Sequence, residues 1–179
     1  MPKIEIRNAT LDDAAELVKI YSYYVEKTAI SFEYEVPSIE KFQARMQRTQ
    51  KHYPYLVAEV DGKIIGYAYA KLFVGRAAYK FSAELTIYLD KDFRHKGAGG
   101  KLYRELEKIL REMGIKNLYA CIGYPNVEDE YLNFNSLKFH EHLGFKICGK
   151  FKNCGYKFNR FYSMVWVEKI IGDYGNESN

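Results

Sequence analysis

At 179 residues, with 47% hydrophobic and 28% charged side chains, the chain has the make-up of one globular domain rather than a disordered or fibrous one. A formal net charge of +4, with basic residues interleaved among acids, argues against a nucleic-acid partner; the exception is the local group Lys91, Arg94, His95, Lys96 and Lys101. No apolar run approaches ~18 residues and the N-terminal "MPKIEIRNAT" has no apolar leader core, so neither a membrane partner nor export is expected. Three cysteines, Cys121, Cys148 and Cys154, are odd in number and lack metal-ligand spacing; reduced thiols, a cytoplasmic location and no metal are expected.

In chain order, "KIEIRNA" alternates and predicts a strand. Thr10 and Asp13 form a capping-box signal before a helix carrying Ala14, Leu17, Val18, Tyr21 and Val25. "TAISFEYEVPS" reads as a loop, and Ser38 caps a second helix to about Lys51. "YLVAEVDGKIIGYAYAKLF" predicts a hairpin turning at Asp61-Gly62. "KFSAELTIYL" is a further strand, leading through a glycine-rich loop to a helix with Leu102, Leu106, Ile109 and Met113 on one face, stopped at Gly114. "KNLYACIG" predicts a strand, "NSLKFHEHLGF" a short helix, and the following stretch two strands joined near Asn153 to Gly155. The single domain is expected to span residues 1–170, with the polar "GDYGNESN" in a flexible tail over 171–179. Meandering strands with only two strand-to-helix crossovers exclude a doubly wound parallel sheet.

The loop "RHKGAGGK" carries Arg94, His95, Lys96, Gly97, Ala98, Gly99, Gly100 and Lys101 into the start of a helix. Free N–H groups and the positive end of the dipole meet there, and glycines let the backbone approach an anion. Leu102 breaks both the Walker pattern, which needs Ser or Thr after Gly100-Lys101, and the G-x-G-x-x-G pattern, which needs a third glycine. What remains is R-x-x-G-x-G, which the residues alone leave open between an anion cradle and a basic turn capping a helix.

This loop, set after "AELTIYL" and followed later by "NFNSLKFHEHLGF", resembles the GNAT superfamily of acetyl-CoA-dependent N-acetyltransferases. "EIRNAT", "TAISFEYEVP", "YPYLVAEVDGKIIGYAYA" and "RAAYKFSAELTIYL" resemble its phosphinothricin N-acetyltransferase-like branch, so the likeness runs from about Ile4 to Lys169. It implies an α/β fold of the GNAT type: a mixed, mostly antiparallel sheet of about seven strands flanked by about four helices. It also implies acetyl-CoA as cosubstrate, a small amino-acid-like amine as acceptor, and a possible homodimer. The chain departs from the branch at Phe161 and Ser163, where the branch has Trp and Asp, and in the inserted "VEDEYLNF".

The resemblance assigns residues. Coenzyme A falls to the loop just named, to the backbone of Ile87, Tyr88 and Leu89, and to Asn133 with Ser136, with Asn126 and Asn135 as alternatives to Asn133. Glu84 becomes the base that takes a proton from the amine, since most amines, with pKa values of ~8–10, arrive protonated. His140 stands where many family members have a Tyr near the leaving sulfur. Phe32, Glu33, Arg76, Tyr79 and Lys157 fall near the acceptor pocket; Arg76 is suited to a carboxylate by two parallel bonds. Two other readings keep part of this: an acetyltransferase for a protein or peptide amine, and a CoA-binding regulatory module without catalysis.

Overall fold

The computed structural model describes residues 3–94 and 97–175. Its elements are β1 (Glu5–Asn8), α1 (Ala14–Lys27), α2 (Ile39–Gln50), β2 (Tyr55–Val60), β3 (Lys63–Leu72), β4 (Ser82–Leu89), α3 (Ala98–Glu112), β5 (Asn117–Tyr124), α4 (Asn135–His142), β6 (Lys146–Lys157) and β7 (Arg160–Ile170). The seven strands form one sheet in the order β1-β2-β3-β4-β5-β7-β6. Every pairing is antiparallel except β4 with β5. Order and type of the elements match the sequence expectation.

Local chemistry accounts for the boundaries. The Thr10 N–H donates to the Asp13 carboxylate at 2.7 Å, and Arg7 pins the same carboxylate at 2.8 Å, fixing the entry to α1. Ser38 accepts from the Lys41 N–H at the start of α2. Asp61 and Gly62 both take positive φ, 50° and 77°, as a two-residue hairpin of this twist requires.

Two expectations need correction. The hairpin joining β6 and β7 turns at Phe158 and Asn159, with φ of 52° and 58°, not at Asn153 to Gly155. The earlier Asn153, φ 50°, lies where the β6–β7 register shifts between Phe151 and Gly155: its turn chemistry makes a bulge within a longer strand. In α3 the buried stripe is Leu102, Tyr103, Leu106 and Leu110, and Met113 is exposed. Met113 keeps the helical period but is the C-cap residue, past the last turn of α3, where the helix has run beyond the core.

Apolar cores lie on both faces of the sheet. One is built on α3 with Leu85, Leu118, Val165 and Val167; the other packs α1 and α2 through Leu17, Val25, Phe42 and Met46 against Val57 and Tyr67. Ile171, just past the expected domain end, is buried and its N–H donates to the Lys116 carbonyl at 2.8 Å. Among the described residues, no helix is long and apolar enough to cross a membrane.

Candidate active site

β4 and β5 pair over only three positions, Ser82 with Asn117, Ala83 with Leu118 and Glu84 with Tyr119. Both strands continue well beyond, but apart. The gap between Leu85–Tyr88 and Ala120–Gly123 opens into a pocket of about 280 Å³. Tyr103 of α3 with Ser136 and His140 of α4 form part of its lining, and tyrosines 21, 55, 67, 69 and 88 form another part. Parting two central strands leaves backbone donors and acceptors along β4 without a strand partner on that side, a feature an interior sheet normally avoids.

Glu84 stands where the two strands part. Its carboxylate is 14% exposed and forms an ion pair at 3.0 Å with Lys71, directly across on β3. Lys71 is not foreseen by sequence reasoning. Burial pulls its ammonium down, but the charge and hydrogen bond of Glu84 outweigh this and the net shift is upward. Glu33 and Arg45, 2.7 Å apart, also line the pocket. Burial pushes the Tyr55, Tyr67 and Tyr88 hydroxyls well above their ordinary range, so they stay neutral at physiological pH.

His140 is buried. Burial lowers its pKa to about 4, against a small opposing effect of the Ser136 carbonyl, so the ring is neutral. Its Nδ1 lies 2.7 Å from that carbonyl oxygen, which only accepts; Nδ1 therefore carries the hydrogen. Nε2 is then the acceptor for the Tyr103 hydroxyl at 2.9 Å. A neutral ring with both nitrogens engaged has no proton ready for a sulfur, so the acid role expected of His140 does not fit this geometry. His140 instead orients Tyr103, another pocket residue the sequence reading missed.

At the start of α3, Gly97 caps the helix with φ 86°, and Ala98 and Gly99 are buried. A Cβ on Gly99 would come within 3.0 Å of the Phe139 ring and 3.4 Å of Ile87 Cδ1, so glycine lets the helix tip close against β4 and α4. The first intrahelical bond runs from the Lys101 N–H to the Gly97 carbonyl at 3.1 Å, leaving the N–H groups before it unpaired within the helix. Arg94 stacks over Tyr23 and Tyr24, at 5.1 and 5.2 Å, and its buried Nη2 has no hydrogen-bond partner among the described residues. Arg104, one turn past Gly100, brings its guanidinium beside that glycine; the four-residue spacing was the available signal. Lys101 turns elsewhere, its ammonium reaching the Ile4 carbonyl at 3.4 Å. His95 and Lys96 lie outside the described residues.

The other expected residues divide. Ile87, Tyr88 and Ser136 line the pocket. Leu89 has its carbonyl engaged by the Tyr24 hydroxyl at 2.5 Å, and its N–H faces the same oxygen at 3.3 Å. Asn133 accepts from the Asn135 N–H at 3.0 Å, a local turn just ahead of α4. Asn126 is bound to Asn153 and Ser163 on the β6–β7 hairpin. Of the five acceptor-side residues only Glu33 lines the pocket. Phe32 packs on Gly155, where a Cβ would fall 2.5 Å from its ring. Arg76 is exposed at the head of a short turn, and the exposed Tyr79 meets Phe73 edge-on. Lys157 is buried and donates to the carbonyls of Thr28 and Ser31, at 2.9 and 2.6 Å, a strut rather than a pocket group. Its amphipathic stem and charged head gave no sequence signal for that role.

The inserted segment is bolted down. Asp129 accepts from the N–H groups of Tyr131 and Leu132 and from the Tyr162 hydroxyl, while Arg160 bridges Asp129 and Glu130. It thereby ties the end of β5 to the turn between β6 and β7. Among the described residues no group of three or more His, Cys, Asp or Glu side chains is placed to hold a metal ion.

Known proteins resemble the chain in sequence and fold. The chain matches the family model described as "Acetyltransferase (GNAT) domain" over residues 6–166. It is 34% identical to the phosphinothricin N-acetyltransferase of Streptomyces viridochromogenes, covering 93% of this chain and 87% of that one. It is 28% identical to an L-methionine sulfoximine/L-methionine sulfone acetyltransferase of Pseudomonas aeruginosa, over 91% of this chain and 92% of that one. Among solved structures, it superposes on a GNAT superfamily phosphinothricin acetyltransferase from Sinorhizobium meliloti, in complex with AcCoA, with a TM-score of 0.87 and 31% identity, covering 94% of this chain and 89% of that one. With a split sheet, a glycine-opened helix at the split and these likenesses together, the chain belongs to the GNAT family of acetyltransferases.

Proposed function

We propose that this protein transfers the acetyl group of acetyl-CoA directly to the amine of a small amino-acid-like acceptor of the phosphinothricin or methionine sulfoximine and sulfone type. The observation that carries the reading is Glu84, set where β4 and β5 part and facing the same pocket as the β4 edge. The names of the relatives supply the acceptor class.

The residues present fit coenzyme A. The buried, unpartnered Nη2 of Arg94 and the free N–H groups opening α3 suit a pyrophosphate, with Arg104 beside them. The β4 backbone beyond Glu84 suits the amides of the pantetheine arm. Acetyl-CoA supplies an activated thioester. Around it Glu84 takes a proton from the incoming ammonium, directly or through water, and the backbone N–H of Ile87, on the β4 edge turned away from β3, suits the oxygen that gains charge. Tyr103, its hydroxyl held by neutral His140, lines the pocket, and the leaving thiol, with a pKa near ~8.5, is a good leaving group. Glu33 and Arg45 at the pocket wall suit the charged groups of an amino acid.

A cytoplasmic setting and a homodimer complete the proposal. Exposed Phe151, Tyr156 and Phe161 give the β6–β7 hairpin an apolar surface of the kind that pairs with another copy. The substrate reading is tested by thiol release from acetyl-CoA against phosphinothricin, methionine sulfone, methionine sulfoximine, the common amino acids and peptides with free amino termini. Turnover confined to the small analogues is expected; turnover of peptides alone would move the acceptor to a protein amine, and binding without turnover of any would leave a CoA-binding module.

A further inference from the structure

We infer that Lys71 is an internal acetyl acceptor: in the absence of an external amine, the protein acetylates this side chain at its own active site. The inference rests on the proposed use of acetyl-CoA and Glu84. An acceptor amine must come within hydrogen-bond reach of the base, and Lys71 Nζ already lies 3.0 Å from the Glu84 carboxylate. β3 and β4 hold the two residues directly opposite one another, so the encounter is built into the sheet register rather than left to a loop. Both residues line the pocket that opens between β4 and β5.

The other basic side chains around the site are committed elsewhere. Lys157 is buried against the Thr28 and Ser31 carbonyls, Lys101 reaches back to Ile4, and Arg45 pairs with Glu33. Lys71 is the lysine among the described residues that lines the pocket, and its side chain is 44% exposed, on a stem with four rotatable bonds. It therefore presents the same functional group as a substrate, at the station a substrate amine must take. An external amine displaces it; without one, it is the amine at hand.

The step balances as the external reaction does. Glu84 takes one proton from the Lys71 ammonium, the freed nitrogen bonds to the thioester carbonyl carbon, and the carbon–sulfur bond breaks. Coenzyme A leaves as a thiolate that takes up the second proton lost from nitrogen, and Glu84 releases the first to solvent. The product is a neutral amide on Lys71. It deprives Glu84 of its ion partner and fills the acceptor station, so the modification brakes the enzyme when acetyl-CoA is present and acceptor is not.

The test is to incubate the purified chain with isotope-labelled acetyl-CoA and no acceptor, then follow intact mass and the label on each lysine-containing peptide. About one acetyl group per chain is expected on the peptide carrying Lys71, suppressed by a saturating external amine, lost in Lys71→Arg, and slowed about 100-fold in Glu84→Gln, as removal of a general base predicts. Exposed Lys19 and Lys108 report uncatalysed acylation in the same sample. Label on Lys71 no faster than on those two, or equally fast in Glu84→Gln, overturns the inference. An unmodified Lys71 in a protein that acetylates an external amine overturns it while leaving the proposed function standing. If neither Lys71 nor any amine is acetylated, both fall.

Discussion

At the scale of single residues, the buried imidazole of His140 and the buried guanidinium nitrogen of Arg94 each carry a measurable consequence. His140 is held neutral, and its folded pKa of about 4 lies below the ordinary 6.5. Between those values the unfolded chain binds the extra proton, so stability is retained above the ordinary pKa and falls as the pH drops toward the folded one. His140 alone should remove about 2 kcal/mol on going from about pH 7 to about pH 5. Urea unfolding of the wild type and His140→Gln at both pH values checks this: the variant should lose that part of the pH dependence, and an unchanged dependence would contradict the assignment. Arg94 is the second group, with a buried nitrogen waiting for an acceptor. Its replacement by Ala should weaken acetyl-CoA binding by about 1.5–3 kcal/mol, roughly ten- to a hundredfold, by calorimetry. Equal affinity would remove the pyrophosphate from this loop.

At the scale of elements, the glycines opening α3 separate two physical needs. Gly97 meets a positive φ with no neighbour among the described residues within 4 Å of a Cβ, whereas Gly99 meets a ring and a strand residue in contact. Gly97→Ala should therefore cost about 1–2 kcal/mol of backbone strain without disturbing packing. Gly99→Val should cost about 1–3 kcal/mol through overpacking against Phe139 and Ile87, and should impair acetyl-CoA binding as well. Denaturation midpoints paired with binding isotherms distinguish the two, and a Gly99→Val chain that binds normally would show that the helix tip is not part of the site. The glycine run was legible in sequence because its spacing and its place after a strand are local signals. The turn at Phe158-Asn159 was not, since Asn153-Cys154-Gly155 carries the stronger turn chemistry and tertiary pairing made it a bulge.

At the scale of the whole molecule, strand and helix order could be read from periodicity, caps and turn residues. The split between β4 and β5 could not be: both strands look like ordinary interior strands, and only their partners reveal where pairing stops. For the same reason sequence found Glu84 but not Lys71, whose meaning comes from standing opposite it, nor Tyr103, whose place at the pocket depends on how α3 meets α4. Arg76, Tyr79 and Lys157 matched family positions, yet in the single chain none lines the pocket. The apolar rings on β6 and β7 belong to this scale too. Light scattering should give about twice the mass of one chain, and Phe161→Asp should shift the particle toward the monomer. A wild-type monomer at micromolar concentration would contradict that part of the account.

The central claim is that Glu84 at the fork of the sheet is the base for acetyl transfer. Its most direct test compares wild type and Glu84→Gln for kcat/KM with the best acceptor and for acetyl-CoA affinity by calorimetry. The account predicts a loss of about 100-fold or more in kcat/KM with acetyl-CoA affinity nearly unchanged. Turnover that survives the substitution would contradict it.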